Sequence, residues 1–252
     1  MTSTNDAIAQ VARWLAISQR GVVLTGAGVS TESGIPDFRS PSGGWSKYRT
    51  VYFDEFLDSA ESRHEYWRQK CEMHAEFADA RPNAGHLVLA KWETDGRIRG
   101  IITQNIDGLH QLAGSRNVLE LHGTARQAVC LVCSARFDIN PLVEKFLVDH
   151  RVPDCPQCGG RLKHATISFG QSLPPDVFME ATRWASEADL MLAIGSSLVV
   201  MPAADLPRIA KRHGAHLVII NREQTPLDRL ADIVLRSSIG ETLTAIDTLL
   251  GR

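Results

Sequence analysis

Apolar residues first recur at helical spacing at Ile8, Val11, Ala12 and Leu15, which predicts an opening helix over 6–18. Gly21 ends it, and Val22-Val23-Leu24 follows as a continuous apolar run, the pattern of a short strand buried on both faces. Helical stretches are expected near 54–79 and 84–95, and 100–104 repeats the buried-strand pattern. From 126 to 164 the periodicity fades and turn residues accumulate. Alternation then returns, with strands over 189–194, 216–221 and 232–235, and helices over 202–213 and 241–250. Strands alternating with helices predict an α/β fold whose parallel sheet carries helices on both faces. The segments 39–99 and 126–164 read as insertions into one open domain, with no internal repeat and no low-complexity linker.

Composition narrows the class. The chain has 252 residues, 44% hydrophobic and 22% charged, too apolar for a disordered chain and long enough to bury a full core. Its 27 basic and 29 acidic residues leave a net charge of -2, so no positive field draws it to nucleic acid or to an anionic membrane. Direct nucleic-acid binding and membrane association are not expected, whereas the charge balance does not exclude a basic partner such as a lysine-rich peptide. Residues 1–20 contain no continuous apolar segment of the kind a signal peptide carries. The longest apolar stretch, 190–204, is broken by Gly195, Ser196, Ser197 and Pro202. A cytoplasmic protein is the expectation, and its five cysteines then favour metal or thiol chemistry over disulfides.

Cys130-x2-Cys133 and Cys155-x2-Cys158 are separated by 21 residues, close to the two-knuckle pattern of a zinc ribbon. Two knuckles complete a tetrahedron of thiolates, which leaves no open coordination position, so one structural Zn2+ is expected. A segment this small cannot build a sufficient core alone, and the metal would supply its folding energy. The leftover Cys71 reads as a partly buried thiol.

The first strand runs into Thr25-Gly26-Ala27-Gly28-Val29-Ser30-Thr31. Glycines there fit either a tight strand-to-helix turn or close approach of the backbone to a pyrophosphate. The dehydrogenase fingerprint is not met, because its third glycine falls on Thr31. Ser33-Gly34-Ile35-Pro36-Asp37-Phe38-Arg39 follows, which fits either an ordinary solvated loop or one in which Phe38 covers a ligand and Arg39 meets a phosphate. Gln104, Asn105, Ile106 and Asp107 come directly after the second predicted strand, at the end where open α/β sheets bind ligands. His122 follows a short apolar alternation, where a histidine fits either a structural or solvent role, the commoner case among nine histidines, or a general base.

Together these motifs resemble the sirtuins, in the compact form of bacterial members. The resemblance rests on Gly26-Ala27-Gly28-Val29-Ser30, Gly34-Ile35-Pro36-Asp37-Phe38-Arg39, Thr103-Gln104-Asn105-Ile106-Asp107 and Leu121-His122-Gly123. The four cysteines, Gly195-Ser196-Ser197-Leu198-Val199-Val200 and Ile220-Asn221-Arg222-Glu223 complete it, in the family's order. It implies a Rossmann-like NAD domain (1–38, 100–125 and 165–252) and a small domain made of a helical insertion (39–99) and a zinc ribbon (126–164). It implies NAD-dependent removal of acyl groups from lysine, acetyl first, with nicotinamide released and the acyl group passed to ADP-ribose. Gly26, Ala27, Gly28, Ser30 and Thr31 would line the pyrophosphate, Arg39 would reach phosphate or ribose, Phe38 would shield the reactive ribose carbon, and Asp37 would be a further cofactor contact. Gln104, Asn105, Ile106 and Asp107 would form the nicotinamide pocket. Gly195, Ser196 and Ser197 would hold phosphate and ribose, Asn221 and Arg222 the adenosine ribose, and Ile239 the adenine. His122 would be the base on a ribose hydroxyl, with Asn105 beside it. Ile167, Ser168, Phe169 and Gly170 on one side, and Val199 on the other, would pair with an acyl-lysine protein or peptide as an added strand. His164-Ala165 and Gln171 depart from the usual family residues. Succinyl-preferring members carry Tyr-x-x-Arg where this chain has Tyr66 and Gln69, so neutral acyl groups are expected to be preferred. Mono-ADP-ribosyl transfer from the same NAD site is the alternative activity. The oligomeric state is left open.

Overall fold

The computed structural model describes residues 3–37 and 48–251. Helix α1 (Thr4–Ile17) leads into β1 (Gly21–Thr25) and a 3-10 helix, Ala27–Ser33. Helices α2 (Phe53–Asp58), α3 (Ala60–Ala78) and α4 (Ala84–Thr94) precede β2 (Gly100–Thr103), α5 (Leu109–Leu112) and β3 (Val118–Glu120). Next come β4 (Gly123–Cys130), β5 (Arg136–Asp138), α6 (Asn140–Asp149) and β6 (Leu162–Thr166). The chain continues through α7 (Pro175–Glu187), β7 (Leu190–Ile194), α8 (Leu206–Arg212), β8 (His216–Ile220), β9 (Ile233–Leu235) and α9 (Ile239–Leu250).

Local chemistry sets several boundaries. The Ser3 hydroxyl accepts from the Asp6 N–H while Asp6 accepts from the Ser3 N–H, a reciprocal cap that starts α1. Ser59 divides the predicted 54–79 helix: it closes α2 in an extended conformation and its hydroxyl caps α3 through the Ser62 N–H. Helix α7 occupies a stretch to which the sequence pattern assigns no element. Pro174 and Pro175 open it, and Ala181, Trp184 and Ala185 form its buried face.

The six-stranded sheet is parallel throughout, in the order β3-β2-β1-β7-β8-β9. The period of two in its apolar strands divides it between two cores. Val23, Leu192, Ile194, Val218 and Ile220 face α1, α4 and α9. Val22, Leu24, Met191, Ala193, Leu217 and Ile219 face α7 and α8. Helices therefore cover both faces, as the Rossmann-like expectation requires. After β3 the chain crosses back and lays β7 on the other side of β1, so the topology switches between the carboxyl ends of β1 and β7. Ligands of such sheets bind at that crevice.

A second sheet, β5-β4-β6, is antiparallel and extends from Gly123 to Thr166. It shares one core with α2, α3 and α6: Phe56, Tyr66, Trp67, Val143, Phe146 and Leu162 pack together with Cys130 and Cys155. Helix α4 lies instead on the large sheet. Among the described residues, no helix is long and apolar enough to cross a membrane.

Candidate active site

The loops after β1 and β7 cross in backbone contact. The Gly26 N–H donates to the Ile194 carbonyl (3.0 Å) and the Gly28 N–H to the Gly195 carbonyl (2.8 Å). A Cβ on Gly28 would lie 2.8 Å from the Gly195 Cα, and one on Gly195 would lie 2.5 Å from the Val29 nitrogen. Gly195 also adopts a φ of 63°, in the left-handed region. The glycines thus pack backbone on backbone at the switch point, and the Gly28 N–H is already committed to Gly195. Ala27 and Thr31 are half-buried beside them, and Thr31 donates to the Gly28 carbonyl (2.9 Å). Asp37 is half-buried. Phe38 and Arg39 lie outside the described residues.

The carboxyl end of β2 brings a polar cluster against this loop. Ser30 donates to Asp107 Oδ2 (2.7 Å) and accepts from Asn105 Nδ2 (3.0 Å). The Leu109 N–H donates to Asp107 Oδ1 (2.9 Å), and Arg126 Nε donates to the Asp107 carbonyl (2.7 Å). Asn105 is 5% exposed, yet its Oδ1 has no partner in the protein. A buried acceptor left open costs free energy unless something supplies a donor. This orphan at the switch-point crevice fits a hydroxyl-bearing ligand such as the ribose of NAD. Gln104 Nε2 donates to Ser196 Oγ (2.8 Å), which joins the ends of β2 and β7; Ile106 is half-buried alongside.

His122 sits between β3 and β4. A carbonyl can only accept, so the 2.9 Å contact with the Gln104 carbonyl puts the imidazole proton on Nδ1. Nε2 is then left as a proton acceptor. Burial lowers the His122 pKa below the usual imidazole value, and the Gln104 carbonyl only partly opposes this. The ring is therefore neutral and basic at neutral pH.

The remaining expected site residues fall around this centre. The His122 carbonyl accepts from the Ile167 N–H (2.8 Å), and the Phe169 carbonyl accepts from the Phe53 N–H (2.9 Å). Strand β6 ends at Thr166, so Ile167, Ser168, Phe169 and Gly170 form an irregular exit from it. Phe169 is 57% exposed and Val199 49%. Ser197 is half-buried after β7. Asn221 directly follows β8, where its Nδ2 donates to the Glu223 carbonyl (3.0 Å), and Arg222 is exposed. Ile239 is buried in the core at the first turn of α9, next to Gly240, whose N–H donates to Glu32 (3.2 Å).

The four ribbon cysteines have sulfurs all within 4.8 Å of one another, with Cys130 and Cys158 3.5 Å apart and Cys133 and Cys155 3.7 Å apart. A tetrahedron with Zn–S bonds of ~2.3 Å has edges of ~3.8 Å, so the donor set fits zinc. Cys71 is buried, and burial pushes its thiol up to about 12, which leaves it protonated.

Sequence reasoning missed a polar layer beneath the site. Thr25 and Thr103, His86 and His110 are all buried there. The only signal was their polarity within apolar runs, since the two histidines meet solely through the fold.

A family model described as the Sir2 family matches residues 26–202. The NAD-dependent protein deacetylase of Rhodopseudomonas palustris is 48% identical over 243 residues, 96% of each chain. A solved Sir2 structure with a p53 peptide and NAD+ superposes with a TM-score of 0.88 at 38% identity, over 97% of this chain and 98% of that one. Another, with a deacetylated p53 peptide and 3'-O-acetyl ADP-ribose, gives a TM-score of 0.87 at 38% identity, over 96% and 97%. With the family model covering most of the chain and a relative nearly half identical along almost its whole length, the chain belongs to the Sir2 family.

Proposed function

We propose that this chain is an NAD-dependent protein deacetylase that removes acyl groups from lysine side chains, releases nicotinamide and leaves the acyl group on ADP-ribose. The observation that carries the reading is the pairing, at one crevice, of His122 held as a proton acceptor with Asn105, whose buried Oδ1 awaits a donor. The deacetylase name of its relatives and the peptide, NAD and acetyl ADP-ribose complexes of its structural neighbours support it.

His122 Nε2 takes the proton of a ribose hydroxyl, a role worth ~10²–10⁴-fold in rate. Asn105 accepts from the ribose or a bound water. Gln104, Ile106 and Asp107 receive nicotinamide, and the loop from Gly26 through Thr31 takes the pyrophosphate, with Asp37, Phe38 and Arg39 above it. Gly195, Ser196 and Ser197 hold phosphate and ribose; Asn221, Arg222 and Ile239 take the adenosine end. Ile167 to Gly170 and Val199 bracket the peptide of an acyl-lysine protein. Cys130, Cys133, Cys155 and Cys158 hold a structural zinc that takes no part in the chemistry. Residues 1–38, 100–125 and 165–252, joined by α4 on the large sheet, form the NAD-binding part, the rest of 39–99 the helical insertion and 126–164 the ribbon, in a cytoplasmic enzyme.

Gln69 is 5% exposed and donates to the Arg49 carbonyl and to Glu65, so its position offers no cation for a distal carboxylate. Neutral acyl groups are therefore preferred. The test is mass spectrometry with NAD and one peptide carrying acetyl-, propionyl- or succinyl-lysine, beside a His122→Ala control. NAD-dependent acyl loss with O-acyl-ADP-ribose formation is expected, faster for acetyl than for succinyl and at least about a hundredfold slower in the control. ADP-ribose attached to protein without acyl loss would favour ribosyl transfer instead. Unchanged turnover in His122→Ala would remove that residue from its role.

A further inference from the structure

Two histidines behind the end of β2 have no part in the scheme above. His86, in the first turn of α4, is 0% exposed, and His110, in α5, is 1% exposed. Their ring centroids are 4.9 Å apart. The surrounding hydrogen bonds fix both tautomers. The Asn83 N–H donates to His86 Nδ1 (3.4 Å), so His86 carries its proton on Nε2, and that N–H has no partner. At the other end, the Asn105 N–H and the Thr25 hydroxyl both donate to Thr103 Oγ1, at 3.0 and 2.8 Å. With its proton committed, the Thr25 oxygen can only accept from His110 Nε2, 2.9 Å away. His110 Nδ1 is then a bare acceptor, and it too is buried without a partner. One orphan is a donor and the other an acceptor, on neighbouring rings.

We infer that Asn83, His86, His110, Thr25 and Thr103 form a one-directional hydrogen-bond relay that positions Asn105. The relay is closed by one water that accepts from His86 Nε2–H and donates to His110 Nδ1. It ends on Thr103 Oγ1, which also accepts the Asn105 backbone N–H and so holds that residue where its side chain reaches Ser30 and leaves Oδ1 open. It begins at the N-cap of α4, where Asn83 Nδ2 also donates to the Val29 carbonyl (2.8 Å) and to Ser33 (3.0 Å). The loop after β1 and the end of β2 are thereby tied to one buried chain. Both imidazoles stay neutral in it. Burial, and then the neighbouring His86, drive His110 down to about 3. Burial lowers His86 as well, against the opposing pull of Asp107 and Glu32.

The inference rests on the proposed role of Asn105, and two measurements separate them. The first is two-bond ¹H–¹⁵N NMR of the histidine side chains in the full chain, assigned with His86→Gln and His110→Gln. Both residues are expected as neutral Nε2–H tautomers from about pH 6 to 8. An Nδ1–H tautomer, or a charged ring at neutral pH, for either histidine overturns the relay. The second compares Thr25→Val, which keeps the shape and deletes the hydroxyl, with Thr25→Ser, which keeps the hydroxyl. Thr25→Val should lower kcat about tenfold, the size expected when a buried hydrogen bond loses its partner, with the peptide KM within about twofold. Thr25→Ser should stay within about twofold of the unsubstituted enzyme. A Thr25→Val kcat that is barely changed, or a Thr25→Ser as slow as Thr25→Val, refutes positioning. Should Thr25→Val fail to fold, the tautomers of the unsubstituted chain still decide the matter. Expected tautomers in a chain without deacetylase activity would sink the role of Asn105 and leave the relay standing.

Discussion

Gly195→Ala isolates what the glycine crossing contributes. Two costs act at once. An L-residue at a φ of 63° sits in the left-handed region, which costs ~1–2 kcal/mol. The added methyl would also lie 2.5 Å from the Val29 nitrogen and 2.8 Å from the Gly28 carbonyl carbon, both backbone atoms that cannot rotate aside. Overpacking of that kind costs a further ~1–3 kcal/mol, for a total of about 2–5 kcal/mol. At ~2 °C per kcal/mol for a chain of this size, Tm falls by about 4–10 °C. Gly214→Ala is the control, because its φ of 93° is also left-handed but a Cβ there meets nothing within 4 Å. Only the conformational cost applies to it, so its Tm falls by about 2–4 °C. The assays are thermal melting of both variants and the KM for NAD, which should rise in Gly195→Ala alone because the β1 loop is displaced. Equal melting shifts, with an unchanged KM for NAD, would refute the claim that close backbone approach shapes this crevice.

Three further outcomes follow from the structure. Because burial lowers the His122 pKa, the neutral base persists below the ordinary imidazole value of 6.5, and the acid limb of kcat/KM should fall below that pH; a limb at or above it would contradict the buried, neutral base. Removing zinc with a chelator, followed by hydrogen exchange, should expose α2, α3 and α6 together with β4–β6 while β1, β7 and β8 stay protected; retained protection in α3 would show that the metal does not hold the shared core. Lys163 is 1% exposed and bonded to the Thr166 carbonyl, and burial pushes it down to about 7, with Lys70 adding to the effect. The unfolded chain therefore binds the extra proton between about pH 7 and the usual lysine value of 10.5, so stability rises with pH across that window. Lys163→Met should flatten that rise in Tm, and an unchanged slope would assign it to other groups.

The large sheet was legible because its strands carry two apolar faces. Val22-Val23-Leu24 reads as buried from its unbroken apolar run alone, and the fold merely sends alternate residues to different cores. Ser59 was not legible as a boundary, since its one hydroxyl interrupts a helical pattern that is otherwise continuous. Helix α6 was hidden for a different reason. It buries Val143 and Phe146 but leaves Leu147 and Val148 exposed, so its apolar residues do not mark a single face. At the site, Gln104, Asn105, Asp107 and His122 were found by their place at strand ends. Residues lying below them, such as His86 and His110, come from helices distant in sequence, and no spacing rule brings them together. Gly28 illustrates a subtler limit: its identity was readable, but the use of its N–H by Gly195 depends on a strand that arrives much later in the chain.

The shared core of the small lobe bears on how this protein can be altered. Trp67 donates to the Leu162 carbonyl and stacks near Phe146, so the helices after β1 and the cysteine ribbon after β3 each complete the other's interior. Neither is a cassette. A ribbon transplanted without Phe56, Tyr66 and Trp67 would present a bare apolar underside, and helices kept without the ribbon would do the same. Chimeras with related enzymes should therefore exchange 51–78 and 126–166 as one matched pair or leave both in place. Exchange of one piece alone would carry the fault of an unmatched interior into a molecule whose large sheet is intact.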